Sequence, residues 1–198
     1  MKTAILTIFS ALVLTAGIAN TTNAATAKND DNTYTVLTGI SAINKIEVHG
    51  NVELYVSDAS ADQVKVYNKY YSESALVQST NGVLRISSYK TEKLVVWVSA
   101  NDLRSISAYD NAEVKSFGNI SKIEFDVDLH DNANAKLNLD TFNASVTVKD
   151  NAKADLSGSA NQLNLYRDIE SNVKSNNFSA AHYIENKMTA ATNDMAGL

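Results

Sequence analysis

Glu124, Asp126, Asp128 and His130 alternate with Phe125, Val127 and Leu129, an arrangement that puts four polar groups on one face of a single strand. Carboxylates two residues apart on a strand stand about 6.5 to 7 Å apart, a separation that inverting glycosidases use for an acid and a base. The same three carboxylates could instead offer oxygen ligands to a hard cation such as calcium. A solvated outer face is the simplest reading, because alternation alone produces it. No sugar-binding pattern accompanies the pair, so no catalytic residue is assigned.

A second acidic set is spread along the chain. Asp110-Asn111-Ala112, Asp131-Asn132-Ala133 and Asp150-Asn151-Ala152 recur at intervals of about 20 residues, each between short alternating runs. Asp and Asn tolerate the left-handed backbone and bond to nearby main chain, so each copy reads as a bend between strands. If the copies stack, Asp110, Asp131 and Asp150 form a column in which neighbours about 4.8 Å apart repel by about 1 kcal/mol in water. Hydrogen bonds from backbone amides at the bends would offset that, and Arg167, read as the next member of the column, would offset it at one end. A calcium site built on Asp110, Asp131 and Asp150, or on Glu124, Asp126 and Asp128, is the runner-up. The bidentate Glu and glycine turn of dedicated calcium loops are missing, so neither a metal nor any cofactor is expected.

His49, Tyr109, His130, Lys149 and Tyr166 occupy the position before the bend in successive copies and would form an outward column beside Ser105, Ser107, Ser145 and Thr147. Amphipathic rings flanked by hydroxyls suit a glycan or protein contact, and they also suit stacking on one another. Trp97 lies on the opposite face of its run from Val96 and Val98, either as an exposed anchor or packed under a Tyr70-Tyr71 loop. These six residues are the candidate binding surface.

Enzyme signatures are missing: there is no G-x-S-x-G, no H-E-x-x-H, no Walker loop and no dinucleotide fingerprint. With no cysteine in the chain, disulfides, thiolate metal sites and a catalytic thiol are excluded. A net charge of −5 without a basic run argues against a nucleic-acid partner.

The elements that carry these residues read as strands. Proline is absent, glycine is scarce at 7 residues, and alternation marks 43–48, 52–56, 63–67, 75–79, 83–87, 94–99 and 103–108. Asn81-Gly82 is a tight-turn signal between two of them. Repetition of the Asp-Asn-Ala unit predicts an all-β fold, a right-handed β-helix or β-solenoid whose short strands stack across Asp-Asn or Gly corners. Its inward columns would be Ala108, Leu129, Val148 and Leu165, then Ala112, Ala133, Ala152 and Ile169, with Arg167-Asp168 as a fourth corner and Gly50-Asn51 as a distant fifth. An antiparallel sandwich is the competing architecture.

Lys2, the apolar run from Ile5 to Ile18 and Thr22-Asn23-Ala24 make residues 1–24 an export signal, with a second legal cut at Ala25-Thr26-Ala27. The apolar run is short for a span of about 20 residues, so no permanent membrane anchor is expected after cleavage. Residues 25–37 read as a flexible lead-in, 38–178 as one domain and 179–198 as a C-terminal cap or tail.

The succession Lys45-Ile46-Glu47-Val48-His49-Gly50-Asn51-Val52-Glu53-Leu54, Asn81-Gly82-Val83-Leu84-Arg85-Ile86, Leu94-Val95-Val96-Trp97-Val98 and Asp102-Leu103-Arg104-Ser105-Ile106 resembles the auto-transporter adhesin head GIN domain family of Bacteroidetes-type bacteria. That resemblance covers about residues 38–178 and implies a secreted or envelope-associated β-helical module, adhesin-like and without defined catalytic residues. The chain departs from the family's usual Gly-Ser-Gly corners and has no segment for a translocating barrel. A non-catalytic interaction module of the periplasm, cell surface or medium is therefore expected, its partner an unidentified glycan or protein. A carbohydrate-active β-helix enzyme working through the Glu124, Asp126 and Asp128 face is the alternative.

Overall fold

The computed structural model describes residues 26–27, 34–40, 42–67 and 76–188. The expected export signal, the Tyr70-Tyr71 loop and residues 189–198 lie outside them. Alternation is the dominant local signal and strands are the result: β1 (Thr26–Ala27), β2 (Thr35–Leu37), β3 (Lys45–Gly50), β4 (Val52–Asp58), β5 (Gln63–Val66), β6 (Leu76–Thr80) and β7 (Val83–Ser88). They are followed by β8 (Leu94–Ala100), β9 (Ser105–Ala108), β10 (Glu113–Ser116), β11 (Ile120–Leu129), β12 (Asn134–Val148), β13 (Lys153–Asp168) and β14 (Asn172–Met188). In β8 the period is complete, with Leu94, Val96, Val98 and Ala100 buried and Val95, Trp97 and Ser99 half-exposed. β14 carries on past Ser179, where the sequence pattern fades, because β13 offers it a partner as far as Asp168↔Met188.

All fourteen strands belong to one sheet, ordered β1-β2-β5-β8-β4-β10-β12-β11-β9-β3-β7-β6, with β13 on β12 and β14 on β13. The sheet bends back on itself at β12. Its first residues, Asn134, Ala135 and Lys136, pair in parallel with β10, and its later ones pair in parallel with β11 through Leu139↔Ile120 to Val148↔Leu129. One wall therefore continues through β10, β4 and β8, and the other through β9, β3 and β7. Between them sits a single core of Val, Ile, Leu and Ala, with Phe125 the largest fully buried side chain.

This corrects the expected right-handed β-helix or solenoid. The sheet forms a mixed half-barrel that curls through 298°, so its rungs do not close into repeating coils. The reason lies outside the Asp-Asn-Ala copies: β2, β5 and β8 pair antiparallel, as do β6 and β7, and these insertions interrupt any uniform rung. The antiparallel sandwich fails too, since the long central pairings are parallel. Asn81-Gly82 makes the tight turn between β6 and β7, with φ of 52° and 80°, the two positive values that a type I′ hairpin needs.

The register also corrects two column assignments. Ala108, Leu129 and Val148 are partners and buried, but the next partner is Arg167, while Leu165 pairs with Val146. Ala112, Ala133 and Ala152 are fully buried as expected, yet Ile169 is 67% exposed. Ser171 takes its place, buried at 5%, because Asn172 pairs with Lys153.

The alanine column is fully buried, so a larger side chain there must displace its neighbours. Ala133→Leu is expected to destabilise by about 1 to 3 kcal/mol through overpacking. Thermal or urea unfolding checks it, and unchanged stability would contradict the burial of Ala133.

Candidate functional site

At each Asp-Asn-Ala bend the aspartate takes the left-handed conformation, with φ of 59° at Asp110, 58° at Asp131 and 53° at Asp150. The amide of the alanine two residues on donates to the carbonyl of the residue before the aspartate: Ala112 to Tyr109, Ala133 to His130, Ala152 to Lys149. Such four-residue turns usually make hairpins. Here β9 and β10 do not pair with each other, so the chain turns a corner and its two strands join different walls.

The carboxylates link one corner to the next. Asp110 Oδ2 accepts the amide of Gly50 at 2.9 Å, Asp131 Oδ2 that of Asp110 at 3.0 Å, Asp150 Oδ2 that of Asp131 at 3.0 Å, and Asp168 Oδ2 that of Asp150 at 2.9 Å. The expected backbone bonding is therefore realised between corners, and the fourth carboxylate is Asp168 rather than a cation from Arg167. Arg167 instead meets Glu185 at 2.6 Å. At the top, Gly50 has φ of 81°, and a Cβ there would come 2.1 Å from the Ser88 carbonyl oxygen, so no aspartate could stand in that position. Among the described residues no group of three or more His, Cys, Asp or Glu is placed to hold a metal ion.

The ring column stacks on itself. His49 and Tyr109 lie 4.4 Å apart at 2°, and Tyr109 and His130 lie 4.9 Å apart at 12°. Lys149 follows His130 at the next corner, but Tyr166 is out of the column, paired with Thr147. Along β11, Glu124 and Asp126 are exposed and Asp128 Oδ1 lies 3.0 Å from His130 Nε2. Desolvation first, and the charge of Glu124 second, push the Asp126 carboxyl above its ordinary value.

Trp97 is half-exposed on the outer face, and its surroundings were legible only in part. Tyr55, its partner across β4 and β8, stacks on it at 4.7 Å and 23°. Phe117 meets it at 5.3 Å and 52°, and Tyr67 at 6.1 Å and 52°. Tyr55 alternates with Leu54 and Val56 just as Trp97 does with its neighbours, a signal that could have been paired with it; Phe117 and Tyr67 lie just past strand ends and carry no such signal. Lys115 Nζ sits 5.6 Å from the centre of the Tyr55 ring and 2.5 Å from Glu53 Oε1, and the Tyr55 hydroxyl donates to the same Oε1 at 2.8 Å. The hydrogen bond from Lys115, helped by that from Tyr55, holds the Glu53 carboxyl below its ordinary value against the opposing effect of burial.

The family described as "Putative auto-transporter adhesin, head GIN domain" matches residues 42–192, and the chain belongs to it. A solved structure titled a putative adhesin from Bacteroides fragilis superposes with a TM-score of 0.67 at 16% identity, over 75% of this chain and 72% of that one. A putative adhesin from Parabacteroides distasonis gives 0.61 at 12%, over 80% of each chain. A structure titled a putative lipid binding protein from the same species gives 0.58 at 12%, over 80% and 79%. No curated protein matches the sequence. As a member of that family the chain is an exported, adhesin-like interaction module, and no helix among the described residues is long and apolar enough to cross a membrane.

Two outcomes follow. Asp131→Ala removes the acceptor of the Asp110 amide and puts a Cβ without a local acceptor at positive φ, so a loss of about 1 to 3 kcal/mol is expected, whereas Asp131→Asn, which keeps an acceptor and tolerates that backbone, should lose much less. Equal melting temperatures for both variants and the wild type would contradict the linkage. The lowered Glu53 carboxyl contributes stability that is present above 4.5 and is lost as pH falls through its folded value. Glu53→Gln should therefore cost up to about 1 kcal/mol at neutral pH and nothing in strong acid; a cost equal at both ends would contradict this.

Proposed function

We propose that the module binds a glycan at the cell surface through the outer face of β4, β8 and β10, with the Trp97 ring cluster as the platform. The observation that carries this reading is the amount of aromatic surface left on the outside: Phe117 is 64% exposed, and Tyr55, Tyr67 and Trp97 are half-exposed around it. Rings in contact normally belong to a core, and an outward group of them suits a partner with apolar faces and polar edges. Sugar rings have that character, their C–H faces packing on aromatics while their hydroxyls reach polar groups beside them. Ser57 and Ser99, whose hydroxyls are 2.9 Å apart, and Glu53 are those polar groups here.

The column His49, Tyr109, His130 and Lys149 supports a contact less well. Its rings cover one another's faces and offer mainly edges to solvent. Tyr166 and the carboxylates of Glu124, Asp126 and Asp128 stand apart from the ring cluster, and the calcium reading of those carboxylates has no donor arrangement to recommend it.

A glycan array followed by titration of the best ligand tests the reading. Phe117→Ala and Trp97→Ala should each weaken binding about tenfold or more, and Tyr109→Ala should not. Phe117 is the more telling position because its exposed ring contributes little to the core. Binding that survives both ring deletions, or binding to lipid vesicles alone, would overturn it.

A further inference from the structure

The aromatic platform does not end at Tyr55. Strand register continues the same outward row from Lys65 to Trp97, Tyr55, Lys115, Lys136, Asp155 and Lys174, one residue from each of seven strands. At about 4.8 Å per strand, Trp97 and Lys174 are about 24 Å apart, so the row is long enough for several sugars laid across the strands. Its far half is a shallow depression of about 340 Å³ whose polar lining includes Lys115, Lys136, Lys153 and Lys174.

Charge along this row is unevenly compensated. Glu53 and Glu113 are already engaged: Lys115 lies 2.5 Å from Glu53 and 3.3 Å from Glu113, and Lys93 lies 2.6 Å from Glu113. Lys136, Lys153 and Lys174 are exposed, and none of them makes an ion pair among the described residues. Asp155 is the carboxylate between Lys136 and Lys174 in the row. Lys136 stands directly opposite Lys115 across β10 and β12, Lys153 faces Asn134 and Asn172, and the four lysines of the depression outnumber its two carboxylates, Glu113 and Asp155, an excess that an anionic partner would balance. The chain as a whole carries −5, opposite in sign to the excess on this face.

We propose that the ligand is an acidic polysaccharide, its sugar rings stacked at the Trp97 end and its carboxylate or sulfate groups held by Lys136, Lys153 and Lys174. This rests on the glycan reading of the aromatic face and adds the ligand's charge and direction. Ammonium groups on flexible stems act as point charges and accept either acid, so the row selects for anionic density more than for one acidic group.

Affinity electrophoresis of the intact protein tests this in gels containing polygalacturonate, dextran sulfate or neutral dextran. Retardation is expected in the first two and little in the third, and it should fall as salt rises, since the contacts are exposed. The relative response to polygalacturonate and dextran sulfate distinguishes carboxylate from sulfate as the source of charge. Combining Lys136→Glu with Lys174→Glu should weaken polygalacturonate or dextran sulfate binding by about tenfold or more. Lys90→Glu, an exposed change outside the row, controls for net charge and should have little effect. If neutral dextran is bound as well as the acidic polymers, or if the lysine variants bind as the wild type does, the inference is wrong while the glycan reading stands. Retardation by none of the three polymers, with binding to phosphatidylglycerol vesicles instead, would overturn both.

Discussion

A carboxylate that accepts the amide of the neighbouring corner is the interaction on which the rest of this sheet depends. Parallel strands have no hairpin to fix their register, and a slip of one residue would turn every core side chain outward. Asp110, Asp131, Asp150 and Asp168 each bond the corner one layer away, so the register is restated at every layer where the chain bends. The left-handed backbone at three of these aspartates sends the chain into the other wall, and Asp168 makes the same bond without it. Ala112, Ala133 and Ala152 then turn inward, small enough for the corners to pack closely.

Register at the corners has consequences on the outer face. Because Glu113 pairs with Glu53 and with Asn134, Lys115 falls between Tyr55 and Lys136, and the ring cluster runs into the lysine row without a break. Side chains contributed by strands far apart in sequence thereby meet in one line. The core stabilises the sheet, and the corners decide which outward groups become neighbours. An adhesin-like role needs a broad surface rather than a cleft, and a half-barrel wall supplies one.

Much of this was legible locally and little of it globally. The strands from Lys45 to Ala108 follow from alternation to within a residue or two, since period-2 burial is a property of each segment alone. Strand direction leaves no such mark: nothing in Gln63–Val66 or Leu76–Thr80 says antiparallel, and so the repeat around Asp131 was extended into a solenoid that these strands prevent. The fourth corner was misread by similar logic. Matching Arg167-Asp168 to Asp-Asn put Arg167 in the column, whereas the closing carboxylate is one residue later and Ile169 turns to solvent. Trp97 was recognisable as outward from its neighbours, but its partners Tyr55, Phe117 and Tyr67 come from other strands. The lysine row, one residue per strand, has no local pattern at all.

The corner linkage can be observed directly through the amide proton shifts of Gly50, Asp110, Asp131 and Asp150 in a pH titration followed by heteronuclear NMR. An amide bonded to a carboxylate loses a charged acceptor when that carboxylate is protonated, and its resonance moves upfield with the carboxyl's titration. The account predicts that these four amides move together with the carboxyls of Asp110, Asp131, Asp150 and Asp168, each following the aspartate of the next corner. Four amide resonances that stay fixed while those carboxyls titrate would contradict it.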